Sequence, residues 1–204
     1  MGFAFPEMQH MFGLPQRKDA FRLNTTSDNG PYRLFNQDLF PHKPGTPVNL
    51  YASIPYLTGH SAQADSSVAW MNSADTWVDI YNLTNITDGN ADGTYSFFLS
   101  ESGALEFFIF SSTTSPLDVQ RALADITGYP PLPPAFSLGF HYSKWEDTSS
   151  KLMIERNKEF TAKEFQVDVF WLDIGHTLDK MYFHFNEKKF PPDGIQKMNA
   201  EIER

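Results

Sequence analysis

Cysteine is absent from the 204 residues. That excludes disulfides, thiolate metal sites and cysteine nucleophiles together. It leaves the compartment open, because a chain long enough to bury a core does without bridges. No apolar run approaches the ~20 residues that a membrane span requires. Positive charge is scarce: 16 Lys and Arg stand against 25 Asp and Glu, a net charge of −9. The only adjacent basic pairs are Arg17-Lys18 and Lys188-Lys189, and neither makes the stripe that a phosphate backbone needs. Nucleic acid is therefore not expected as a partner. Histidines 10, 42, 60, 141, 176 and 184 have no ligand-type spacing, and neither a phosphate-cradling glycine loop nor a Gly-x-Ser-x-Gly elbow occurs. Metal catalysis is not expected. The opening Met1–Pro6 lacks a basic region followed by an apolar stretch, so no signal peptide is read there.

What the chain has is aromatic and apolar substance. Hydrophobic residues make up 41%, with 19 Phe, 8 Tyr and 4 Trp beside 14 Pro, enough to bury a core. Between Asn49 and Ser112, short runs rich in aromatic and β-branched residues are split by Ser, Asp and Gly. Leu50–Leu57, Val68–Asn72, Thr76–Tyr81, Tyr95–Leu99 and Leu105–Phe110 are each expected as strands of an antiparallel sandwich. The character changes after Ser112. Ser115 is placed to cap a helix with Pro116 at its first position, and Val119, Ala122, Leu123 and Ile126 keep helical spacing up to Gly128. Pro130-Pro131-Leu132-Pro133-Pro134 is a stiff joint.

A β-α-β pattern follows the joint. Phe136–His141 is expected as a strand, Ser150 to about Lys163 as a helix with Leu152, Met153 and Phe160 inward. Val167–Ile174 is expected as a strand buried on both faces, as in a helix-covered parallel sheet. A polar helix over about Asp193–Glu203 closes the chain. The expected division is a β-sandwich at 1–112, a linker helix and Pro-rich joint at 113–134, and the start of a barrel at 135–204. A (β/α)8 barrel takes about 250 residues, so two β/α units leave it incomplete and the chain reads as truncated.

Asp173 ends the most apolar strand, where functional groups of parallel α/β folds collect. A carboxylate there accepts hydrogen bonds from sugar hydroxyls, performs acid–base chemistry, or simply caps the next turn. Trp145, in the loop after the preceding strand, suits either a sugar-stacking platform or a packing lid. Asp88–Gly93 matches the opening of a calcium-binding loop, but Leu99 stands where the closing oxygen ligand belongs, so a hairpin turn is the better reading. Asn24-Thr25-Thr26, Asn82-Leu83-Thr84 and Asn85-Ile86-Thr87 fit the N-glycosylation triplet and suggest a secretory route.

Several segments together resemble glycoside hydrolase family 31. They are Met11-Phe12-Gly13-Leu14-Pro15, Pro31 to Phe40, Tyr51-Ala52-Ser53-Ile54-Pro55, Trp70 to Asp79, Phe136 to Trp145 and Val167 to His176. The likeness is strongest to the members that trim glucose from N-linked glycans in the endoplasmic reticulum. It implies a galactose-mutarotase-like β-sandwich followed by the first two β/α units of a (β/α)8 TIM barrel. It also implies retaining hydrolysis of terminal α-linked glucose by two carboxylates without a cofactor, an N-glycan or other α-glucosyl oligosaccharide as substrate, a regulatory β subunit and residence in the lumen of the endoplasmic reticulum. By matching position, Asp173 and Asp38 would hydrogen-bond the terminal glucose, and Ile174 and Trp145 would line the pocket entrance. The family's nucleophile motif has no counterpart here, so both catalytic carboxylates are expected beyond Arg204 and the chain alone is expected to be inactive. Gly175 departs from the family's Glu, Gln16 from its Glu, and Arg17-Lys18 from a His-Ala pair. A different family 31 α-glucosidase, a non-catalytic sugar-binding piece and an inactive gene product remain as alternatives.

Overall fold

The structure, a computed structural model, describes residues 1–40, 45–72, 74–82, 93–145 and 148–202. It divides into two compact units, Met1–Tyr129 and Pro130–Arg204. The strands of the first unit are β1 (Gly2–Pro6), β2 (His10–Gly13), β3 (Arg17–Lys18), β4 (Tyr32–Leu34), β5 (Thr46–Asn49), β6 (Tyr56–His60), β7 (Asp65–Trp70), β8 (Thr76–Asn82), β9 (Gly93–Ser100) and β10 (Phe107–Ser112), followed by helix α1 (Pro116–Thr127).

Two antiparallel four-stranded sheets form, ordered β1-β9-β8-β4 and β10-β7-β6-β2, while β3 pairs with β5. Alternation decides what each strand buries. Phe3 and Phe5 of β1, and Thr76, Val78 and Ile80 of β8, are buried while their neighbours are more exposed. Phe3, Phe5, Val78 and Ile80 meet Leu57, Val68 and Trp70 from the other sheet in one apolar cluster. The Trp70 ring stacks on Phe98 and Phe107, and its indole N–H donates to Ser100 Oγ at 3.0 Å. Burial also pulls the Arg17 guanidinium down to about 10, although it donates to the carbonyls of Leu14 and Arg33 and lies 4.9 Å from the Tyr32 ring centre.

Helix α1 forms as its sequence requires. Ser115 Oγ accepts from Leu117 N at 3.2 Å, Pro116 opens the first turn and Gly128 ends the helix. The helix expected in the connecting segment packs instead on β10 and β7, with Val119 buried and Gln120 Nε2 donating to the Tyr56 hydroxyl. It belongs to the first unit.

The strand expected over Leu50–Leu57 is displaced. Buried Asn49 donates through Nδ2 to the carbonyls of Leu50 and Ala52 and to Ser53 Oγ, curling the chain into a loop. Pro55 brings no N–H to a ladder, and β6 begins only at Tyr56. Of the Asp88–Gly93 turn only Gly93 is described, and the Asn85 triplet lies outside the described residues.

The second unit contains β11 (His141–Lys144), helix α2 (Ser150–Ala162), β12 (Val169–Leu172), the hairpin β13 (Thr177–Leu178) and β14 (Met181–Phe185), and helix α3 (Pro192–Ile202). The strand expected over Phe136–His141 starts at its far end instead. Ser137 turns back on the Pro134 carbonyl through both N–H and Oγ, giving a short 3-10 turn over Ala135–Leu138. Extension resumes where Asp168 Oδ2 accepts from Phe140 N at 2.9 Å. β11 and β12 then run parallel, with His141 beside Val169 and Lys144 beside Leu172.

One face of this pair carries Phe170 and Leu172, which pack with Met153, Ile154, Phe190 and Met198. The expectation of burial on both faces does not hold: Trp171, on the opposite face, is 56% exposed. Among the described residues of the second unit, helices cover one face of the two strands. The hairpin β13–β14 was not anticipated. Its two-residue turn, Asp179-Lys180, has φ of 50° and 62°, the left-handed pair of a type I′ turn without the usual Asn-Gly.

Candidate functional site

The parallel register brings two loops out side by side. β11 ends at Lys144 and β12 at Leu172, which are register partners, so Trp145 and Asp173 are the next residues on adjacent strands. Asp173 keeps an extended backbone and turns its carboxylate onto the following 3-10 turn, where Oδ1 accepts from Ile174 N at 2.5 Å. Its carbonyl accepts from His176 N at 3.0 Å. Among the described residues Oδ2 meets no donor. The capping and ligand-binding readings of Asp173 are thus compatible, since one oxygen caps and the other remains open.

Trp145 is 68% exposed and Ile174 is 37% exposed. The two loops touch through Gly175. A Cβ placed there would stand 3.0 Å from the Trp145 carbonyl oxygen and 3.1 Å from Thr148 Cγ2. Glycine is what permits the approach. The structure therefore brings Trp145, Asp173 and Ile174 to one rim.

Sequence reasoning missed a pair on the same strands. Residues 169, 171 and 173 alternate onto the face opposite the helices. There the Trp171 indole N–H donates to His141 Nδ1 at 2.7 Å, and the rings stack at 5.9 Å. An indole nitrogen only donates, so His141 Nδ1 carries no proton, and Nε2 points to the Ser137 carbonyl at 3.2 Å. The signal available was the period-two placement of Trp171 before Asp173.

Asp38 belongs to the first unit, in the loop after β4. That loop is fastened to the Asn49-centred loop by Gln37 N donating to the Leu50 carbonyl at 2.6 Å. The Tyr51 hydroxyl hydrogen-bonds the Asp38 carboxylate, which holds the Tyr51 pKa above its ordinary value. Asp38 is exposed. Among the described residues no group of three or more His, Asp and Glu is arranged to hold a metal. A cleft of about 640 Å³ lies in the second unit, between Met153, Phe170, Leu172, Phe185, Ile195 and Met198. Its lining is mostly apolar, with Asn199 as the polar member, and does not include the rim residues.

The sequence profile of the glycosyl hydrolase 31 N-terminal galactose mutarotase-like domain matches residues 1–79, and that of the glycosyl hydrolases family 31 TIM-barrel domain matches residues 130–204. The chain belongs to glycosyl hydrolase family 31. Its sheets are the galactose-mutarotase-like part of that architecture, and β11, α2 and β12 stand at the start of the family's TIM barrel. Among family 31 proteins it is 36% identical to the human neutral alpha-glucosidase AB over 203 residues, covering 94% of this chain and 21% of that protein. It is 32% identical to the glucosidase 2 subunit alpha of Schizosaccharomyces pombe, covering 92% and 21%. The chain thus spans about a fifth of the length of these curated relatives. Among solved structures, the ER glucosidase II heterodimeric complex of catalytic subunit and regulatory-subunit binding domain superposes with a TM-score of 0.85 at 30% identity, covering all of this chain and 23% of that one. The family 31 alpha-glucosidase from Bacteroides thetaiotaomicron, at 22% identity and a TM-score of 0.69 over 93% of this chain and 30% of that one, shares the fold.

Proposed function

We propose that this chain supplies part of the terminal-glucose pocket of a glucosidase II-like retaining α-glucosidase. The observation that carries the reading is the rim. Asp173 stands at the C-terminal end of β12 with Oδ2 open, beside Trp145 on the neighbouring strand end. A carboxylate acceptor next to an exposed indole is the chemistry that a sugar's hydroxyls and its apolar ring face call for.

In this proposal Asp173 and Asp38 accept hydrogen bonds from the terminal glucose, while Ile174 and Trp145 form the entrance. The nucleophile and the acid/base are supplied by polypeptide beyond Arg204, so the chain binds and orients without cleaving. The substrate is an α-glucosyl oligosaccharide of the N-glycan type, and the setting is the lumen of the endoplasmic reticulum. A regulatory subunit is the proposed partner, supported by the heterodimer in which a similar catalytic subunit was solved.

Turnover of a nitrophenyl α-glucoside tests this. The purified chain is expected to release no chromophore, and a polypeptide continuing it through the rest of a family 31 barrel is expected to release it. Hydrolysis by the chain alone, abolished in Asp173→Asn, would place the catalytic groups within these residues and overturn the assignment.

A further inference from the structure

The N-glycosylation triplet at Asn24 lies in the connection between β3 and β4, and its two polar residues have opposite surroundings. The Asn24 backbone is held at both ends by one phenol. Its N–H donates to Tyr32 Oη at 2.8 Å, and Tyr32 Oη donates to its carbonyl at 3.3 Å. Its carboxamide is exposed and, among the described residues, has no hydrogen-bond partner.

Thr26 is only 4% exposed. Its Oγ1 donates to Asp79 Oδ1 at 2.8 Å and accepts from Ile80 N at 3.0 Å, while its own N–H donates to the Ile80 carbonyl at 2.8 Å. The hydroxyl that completes the triplet is therefore a fastening between this connection and β8.

We propose that Asn24 is an N-glycosylation site filled before β8 takes up Thr26. In the transfer, Asn24 Nδ2 attacks the anomeric carbon of a polyprenyl-diphosphate-linked oligosaccharide. A C–N bond forms and the C–O bond to the diphosphate breaks. The diphosphate leaves with the bonding pair, and one amide proton passes to a base of the transferase. The transferase reads the triplet hydroxyl, and the folded chain hides it, so transfer precedes closure of the Thr26–Asp79 contact. A glycan on Nδ2 leaves the Asn24 backbone bonds and the Thr26 hydroxyl untouched, and the exposed side chain carries it into solvent. The inference rests on the endoplasmic-reticulum reading for its natural setting, and on nothing in the glucosidase chemistry.

The test is the full chain made behind a cleavable secretory leader in a translation system supplied with microsomes. Peptide N-glycosidase digestion in heavy-oxygen water then marks each occupied Asn as labelled Asp. Label is expected at residue 24, lost in Asn24→Gln and kept in Thr26→Ser. Folded, unglycosylated chain presented to the same transferase is expected to stay unmodified, whereas the urea-unfolded chain accepts the glycan. An unlabelled residue 24, in a reaction that modifies a control glycoprotein, overturns the site. Equal modification of folded and unfolded chain overturns the order of events. Because the leader is supplied, absence of the natural protein from the endoplasmic reticulum would count against the localisation reading and not against the Asn24 chemistry.

Discussion

The Tyr51 hydroxyl donates to the carboxylate of Asp38, joining two loops of the first unit through one exposed bond. The loop bearing Tyr51 is shaped by buried Asn49, and the loop bearing Asp38 is fastened to it through Gln37 and Leu50. The orientation of Asp38 thus depends on an asparagine eleven positions away in sequence.

This bond has a pH signature. The phenol donates only while protonated, and its pKa is raised above the ordinary value, first by the bond to Asp38 and then by burial. Its stabilising contribution is therefore complete below the ordinary tyrosine pKa of about 10 and disappears as pH rises through the raised value. An ultraviolet difference titration between the chain and Tyr51→Phe should show a phenolate appearing later than a free tyrosine's. Asp38→Ala should move it back. A Tyr51 midpoint at or below the ordinary value contradicts the bond.

Gly175 sets the spacing of the rim. A methyl added there meets a backbone oxygen and a methyl at 3.0 and 3.1 Å, so Gly175→Ala must push the loop after β11 outward. Such overpacking costs about 1–3 kcal/mol where the surroundings are tight. In an amide and indole spectrum, the Trp145 signals should shift while the Trp70 indole, in the other unit, stays in place. Unmoved Trp145 signals would show that the loops do not touch through this glycine.

The His141–Trp171 pair predicts a tautomer. With Nδ1 accepting from the indole, long-range proton–nitrogen correlation at neutral pH should find the ring proton on Nε2. Trp171→Phe should remove the preference and cost about 0.5–1.5 kcal/mol. A proton on Nδ1 in the unaltered chain is the result that sinks the pair.

Trp70 anchors the sandwich. Fully buried, stacked on Phe98 and Phe107 and hydrogen-bonded to Ser100, it should cost about 3–5 kcal/mol when cut to alanine. Urea unfolding followed by near-ultraviolet dichroism measures this, and a loss below about 1 kcal/mol would be too small for a buried aromatic of this kind.

Much of this architecture was legible in the chain itself. Aromatic and β-branched composition announced the strand at Thr76–Tyr81, which forms as β8, and Ser115, Pro116 and Gly128 announced α1 with its ends. The misplacements share a cause: side-chain and proline constraints that periodicity does not carry. Asn49 and Pro55 turned an apolar strand pattern into a loop, and Ser137 folded back on Pro134 where a strand was expected. The β13–β14 hairpin escaped because Asp179-Lys180 supplies a type I′ turn without glycine. At the candidate site, Asp173 was read as the end of an apolar run and Trp145 as part of the loop after the preceding strand, and the parallel register sets these two positions side by side. Tyr51 as the partner of Asp38, and Gly175 as the contact between loops, depend on neighbours distant in sequence and had no local signal.

The central claim is that Asp173 faces the terminal glucose. The direct measurement is a calorimetric titration of deoxynojirimycin into the polypeptide that continues this chain through a family 31 barrel, compared with its Asp173→Asn and Asp173→Ala variants. Losing a charge-assisted hydrogen bond costs about 1.5–3 kcal/mol, so affinity should fall by roughly tenfold to a hundredfold in Asp173→Ala. Asp173→Asn, which keeps the cap on Ile174 N but loses the charge, should fall in the same direction. Unchanged affinity in both variants would contradict the account and leave Asp173 as the cap of a turn.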